Sequence, residues 1–125
     1  MRHIVLCMFV LLFSVGSAAE ETPRLTFVTK RIVNVGEVKQ GEKVKHTVEI
    51  KNTGDAPLVI LQISKSCNCT TAKASQNILK PGEKADIVVE VDTKGRIGTN
   101  IMNVTITANT PEKEHAIRIS MNVVK

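Results

Sequence analysis

The chain has no Trp and no Tyr, and only three Phe among 125 residues. A surface without Trp or Tyr offers no ready platform for stacking bases or sugar rings, so nucleic acid and carbohydrate are disfavoured as partners. Three cysteines are too few for a disulfide-framed mini-protein. Charges never gather into a run of five of one sign, which excludes a polyionic tail. There is no nucleophile elbow with Ser, Asp and His in order, no His-Glu-x-x-His and no glycine-rich phosphate loop. On those absences no enzyme, cofactor or small-molecule substrate is expected. No stretch sustains a 3.6-residue apolar period either, so helices beyond a single turn, at most over Ala72 to Gln76, are not expected.

What is present starts with a leader. Arg2 and His3 precede the apolar run Ile4 to Phe13, followed by the small residues Ser17-Ala18-Ala19 and the polar Glu20-Glu21. A basic start, a short apolar stretch and a small-x-small site describe a secretory signal peptide over 1–19. The run falls short of the roughly 20 residues that span a bilayer, so no membrane span is expected after cleavage. Residue 20 is Glu rather than the Cys a lipoprotein would place there. The mature domain is therefore 20–125, with 16 basic and 12 acidic residues and a net charge of +4. Cys67 and Cys69 are its remaining cysteines, and an exported chain meets an oxidising compartment that favours pairing them.

The mature residues include 13 Val and 11 Ile against 4 Leu. Branching at Cβ suits pleated strands better than helices. Apolar residues alternate at Val44, Val48 and Ile50, at Ala85 to Val91, at Met102 to Ala108, and at Ile117 to Val123. Such a period marks half-buried strands. Leu58 to Ile63 is almost continuously apolar, as a central strand would be. Leu25 to Val28 and Arg31 to Val35 are weaker strands. Turn residues punctuate the runs at Gly36 and Gly41, Asn52 to Asp55, Lys80 to Glu83, Lys94 to Gly98, and Asn109 to Pro111. About seven short strands so separated describe an all-β, immunoglobulin-like sandwich.

The order Asn52-Thr53-Gly54, then Ser66-Cys67-Asn68-Cys69-Thr70, then Pro81-Gly82-Glu83 resembles the bacterial family called "domain of unknown function 1573". The resemblance implies an exported immunoglobulin-like domain, similar to Hydin-type and PapD-like sandwiches, in the periplasm or envelope of a Gram-negative bacterium. It implies no reaction. The family usually has Gly where this chain has Asn68, and often has aromatics where it has Val35 and Val48. Two matches to the glycosylation pattern, at Asn68 and Asn103, are read as chance in a bacterial chain.

Cys67-Asn68-Cys69 is the sharpest chemical feature, and three readings stay open. It forms a structural disulfide, a labile redox pair, or a soft-metal site of two thiolates aided by His46, His115, Met102 or Met121. The spacing differs from the Cys-x-x-Cys at a helix start that thioredoxin-like chemistry uses. Alternation puts His46 on the apolar face of its strand, as a buried imidazole or, in the metal reading, a ligand. His115 is expected in solvent beside Glu112 and Glu114, and Met102 and Met121 in the core. Lys43, Lys45 and Lys51, extended by Lys30-Arg31, form a wet basic face that discourages edge pairing. The leading functional expectation is a non-catalytic protein-binding or scaffolding module with an envelope protein as partner. The alternative is redox or copper handling by the two cysteines.

Overall fold

A computed structural model describes residues 21–125. The expected signal peptide lies outside the described residues. Alternation of β-branched residues produces nine strands in two layers: β1 (Leu25–Phe27), β2 (Ile32–Lys39), β3 (Lys43–Asn52), β4 (Leu58–Lys65), β5 (Thr70–Ala74), β6 (Ile78–Leu79), β7 (Lys84–Asp92), β8 (Gly98–Ala108) and β9 (Glu114–Val124). One sheet has the order β1-β3-β7-β5 and the other β2-β9-β8-β4-β6. All neighbours are antiparallel except β2 and β9, which run parallel.

The alternating positions meet between the sheets. Val48 and Ile50 of β3, Ile87, Val89 and Val91 of β7, Val104 and Ile106 of β8, and Ile117 and Ile119 of β9 have no solvent exposure. Burying each such side chain contributes about 1.5–3 kcal/mol. Met102 and Met121 fill the same interior. Among the described residues no Phe belongs to this buried set: Phe27 packs against its margin.

Several expectations need correction. The seven expected runs all form strands, and β5 and β6 are two short additions to them among the described residues. Ala72 to Gln76 is no helical turn: Thr70–Ala74 is β5, with Thr71 and Lys73 outward and Ala72 and Ala74 half-buried. Gly36 does not end a strand. It has φ 85° inside β2, where the pairing with β9 slips between Asn34 and Glu37, so glycine there makes a bulge. β4 is not a central strand throughout. It pairs with β8 from Ile60 to Lys65 and with β6 only at Leu58 and Val59, and Leu61 bulges out with 64% exposure. The lysines of β3 do face outward, but Glu49, Asp86, Glu90 and Asp92 interleave with them across the register with β7. Lys84 lies 3.4 Å from Glu49 and Lys43 3.9 Å from Glu90. The face is therefore mixed in sign rather than basic.

Candidate functional site

The chain crosses between the sheets at both ends of the sandwich, and the polar residues worth attention sit there. At one end β4 gives way to β5 through Ser66-Cys67-Asn68-Cys69. Cys67 and Cys69 form a disulfide, with Cα atoms 5.2 Å apart. The turn is closed by Thr70 N–H donating to the Cys67 carbonyl at 3.1 Å. Asn68 needs no left-handed backbone, since no described residue other than glycine has positive φ.

The two sulfurs have different surroundings. Cys67 Sγ accepts from Arg96 Nη2 at 2.7 Å and from the Cys69 N–H at 3.1 Å. Cys69 Sγ faces Thr70 Oγ1 at 3.7 Å and Met102 Sδ at 3.9 Å. Arg96 comes from the β7–β8 connection, where Gly95 and Gly98 both take positive φ. Asn100 steadies it: Oδ1 lies 3.5 Å from Arg96 Nη1, and Nδ2 donates to the Gly98 carbonyl at 3.0 Å. Nothing local in the sequence announces that Arg96 reaches a cysteine 29 positions away.

The structure does not bring His46 to this loop. It sits on β3 in the row of Val89 and Ala72, while Cys69 precedes Thr70, which is in the row of Val91 and Val44. Its Nε2 is buried without a hydrogen-bond partner. Among the described residues, no group of three or more His, Cys, Asp and Glu gathers in a way that could hold a metal ion.

At the opposite end, His115 corrects the expectation that it would be solvated. It is 8% exposed, its Nε2 lies 2.7 Å from Thr110 Oγ1, and its ring meets Phe27 edge-on at 6.4 Å. Thr110 donates its single hydroxyl proton to the Glu112 carbonyl, so it accepts from His115 and Nε2 carries hydrogen. Burial pushes the His115 pKa down, although the Glu112 charge and carbonyl pull the other way. Extending the alternation of Ile117, Ile119 and Met121 back one step would have placed His115 inward. A cleft of about 340 Å³ opens beside it, lined by Arg24, Thr26, Thr53 and Glu112 among others.

Asn52 organises the same end. It is fully buried. Its Nδ2 donates to the carbonyls of Ala56 at 2.8 Å and Leu79 at 2.9 Å. Its Oδ1 accepts from Gly54 N–H at 3.0 Å and Arg24 N–H at 3.4 Å. Gly54 is required for space: a Cβ there would overlap the Thr22 carbonyl and the backbone of Pro23 and Arg24. The Lys80–Glu83 turn docks directly on Asn52. Gly82 N–H donates to the Asn52 carbonyl at 2.8 Å, and Asn52 N–H to the Glu83 carbonyl at 3.0 Å.

Compared with known proteins, residues 25–123 match the model of the family described as "Protein of unknown function (DUF1573)". The chain belongs to the DUF1573 family. Among curated proteins none matches it in sequence. Its fold is similar to that of a protein of unknown function from Porphyromonas gingivalis W83, at 21% identity and TM-score 0.72, covering 82% of this chain and 47% of that one. The chain thus spans about half the length of that relative. It also resembles part of the Vibrio cholerae VesB protease, at 17% identity and TM-score 0.66, covering 78% of this chain and 31% of that one. The PapD-like domain 7 of human CEP192 matches at 10% identity and TM-score 0.62, covering 83% and 87%. At such identities the likeness speaks for the fold alone, an immunoglobulin-like, PapD-like sandwich. In this DUF1573 domain the Asn-Thr-Gly and Pro-Gly-Glu motifs meet in space as one junction, whereas the Cys-x-Cys-Thr motif stands apart at the other end.

Proposed function

We propose that this DUF1573 domain is an exported, non-catalytic binding module of the bacterial envelope that takes an extended segment of another envelope protein along one open side. The observation that carries the reading is the gap between β4 and β5. Among the described residues, one edge of β4 has no strand beside it beyond Val59, and β5 has only β7 as a neighbour. Between these edges runs a groove of about 360 Å³, lined by Leu61, Gln62, Ile63, Ala72, Lys73 and Ala74 among others.

Free edges carry unpaired N–H and C=O groups, the template for adding a strand. The inward positions of β5 are Thr70 and the small Ala72 and Ala74, which lie opposite Val91, Val89 and Ile87 of β7. An incoming strand would place an apolar side chain over those alanines. Lys73 in the groove and Lys65 at the end of β4 suit acidic residues on its other face. Exposed Leu61 supplies an apolar wall.

Leu61→Asp tests the reading, because Leu61 lies on a bulge and its loss leaves the interior intact. Envelope extract passed over the immobilised domain should leave a partner on the wild type, and the variant should retain it at least tenfold less well, with melting unchanged. A wild-type domain that holds nothing above background, or retention equal on both, defeats the reading.

A further inference from the structure

We propose that Cys67–Cys69 is a thiol–disulfide exchange site in which Arg96 stabilises the thiolate of Cys67. This goes beyond the binding role and requires nothing of the groove. The argument starts from the unequal surroundings of the two sulfurs. A guanidinium 2.7 Å away and a backbone N–H 3.1 Å away both point at Cys67 Sγ. A hydroxyl and a thioether, neither of them charged, neighbour Cys69 Sγ. Positive charge and N–H donors favour a thiolate over a thiol. The geometry thus favours a thiolate at Cys67 over one at Cys69.

Arg96 is free for this task. It takes part in neither of the ion pairs found among the described residues, and its other contacts, to Asn100 and through its backbone N–H to the Thr93 carbonyl, are neutral. Asn100 in turn is fixed by the carbonyls of Gly98 and Ile97. Arg96 is a positioning and stabilising residue held ready beside one sulfur. Both cysteines are half-buried in a surface loop rather than sealed in the core.

The reductant is a dithiol, free or on a protein. One of its sulfurs, as thiolate, attacks Cys69 Sγ. The Cys67–Cys69 bond breaks and its electron pair moves to Cys67 Sγ beside Arg96, because the sulfur that makes the more stable thiolate is the better leaving group. A mixed disulfide between the reductant and Cys69 remains. The second sulfur of the dithiol attacks the reductant's own sulfur in that bond, and Cys69 leaves with the pair and takes up a proton. The dithiol has become a disulfide. The domain has gained two electrons, and of the two thiol protons one is on Cys69 and the other in solvent. The reverse sequence reoxidises the loop with a disulfide as acceptor.

The experiment uses the whole mature domain with dithiothreitol as the dithiol. After reduction, timed alkylation by iodoacetamide from pH 5 to pH 9, followed by fragmentation mass spectrometry, reads each cysteine separately without any substitution. At pH 6.5 Cys67 should react about threefold faster than Cys69, the ratio for roughly one pKa unit of thiolate stabilisation once the lower nucleophilicity of the more stable thiolate is counted. Arg96→Gln should remove most of that advantage and leave Cys69 unchanged, and Arg96→Lys should restore part of it. Circular dichroism and melting of each variant show that the fold is kept. Equal pH profiles for the two thiols overturn the proposal, as does a Cys67 profile indifferent to Arg96→Gln. So does a disulfide that dithiothreitol leaves intact in the folded domain.

Discussion

The two ends of this sandwich join the same pair of sheets with different chemistry. At the Asn52 end, neutral amides and hydroxyls close on the backbone. Asn52 uses four backbone partners. Asn109 accepts from Val59 N–H at 2.8 Å and donates to the Pro57 carbonyl at 3.1 Å. Thr110 is held between His115 and the Glu112 carbonyl. At the Cys67 end one residue does comparable work. Thr93 is fully buried, and its Oγ1 accepts from Gly41 N–H at 3.0 Å and donates to the Glu42 carbonyl at 2.6 Å. Beside it lie a cation, a disulfide and a thioether that meet one another side chain to side chain, Arg96 on Cys67 and Met102 on Cys69. Polar groups saturated by backbone are architecture. Groups whose partners are other reactive side chains retain capacity for chemistry.

Three measurements put that contrast at risk. Asn52→Ala should have the largest effect, because it strands backbone groups in a dry junction at about 1–3 kcal/mol each. A total near 3 kcal/mol lowers the melting temperature by about 15 °C in a domain of this size. Thr93→Val keeps the shape and removes one hydroxyl, so urea unfolding should show a smaller loss, about 1–2 kcal/mol. If Thr93→Val costs as much as Asn52→Ala, the two ends are not built differently.

The smallest effect is a pH dependence at the Asn52 end. Burial lowers the His115 pKa from its ordinary 6.5. Just below pH 6.5 the unfolded chain therefore binds more protons than the folded one, and stability falls as the pH drops. The contribution is complete above about pH 6.5 and is lost as pH falls through the folded-state pKa. Melting temperatures between pH 7.5 and pH 5 should show this decline in the wild type and a shallower one in His115→Gln. Matching curves would mean that His115 carries no such linkage.

Much of the layer structure was legible in the chain because period-two burial is written into consecutive residues. Ala85 to Val91 and Ile117 to Val123 needed only the rule that alternate side chains share a face. Misreadings arose where spacing alone was asked to give geometry. Gly36 looks like a stop and is a bulge. Ala72 and Ala74 look helical and line an edge strand. Leu58 to Ile63 looks wholly interior, yet Leu61 faces water. Of the candidate site, the adjacent cysteines were plain to see. Arg96 was not, since its contact with Cys67 depends on a tertiary approach between two separate loops. The parallel pairing of β2 with β9 was hidden for the same reason.

That pairing governs how the molecule comes into being. β9 lies between β2 and β8, so neither can complete its hydrogen bonds until Glu114–Val124 has been made. A chain without Glu114–Val124 lacks the strand that joins β2 to the rest of its sheet, and the contacts that close it reach across 87 positions, from Val33 to Ser120. Topologies of this kind fold slowly, so β9 acts as a latch: until it docks, β2 has no partner strand among the described residues.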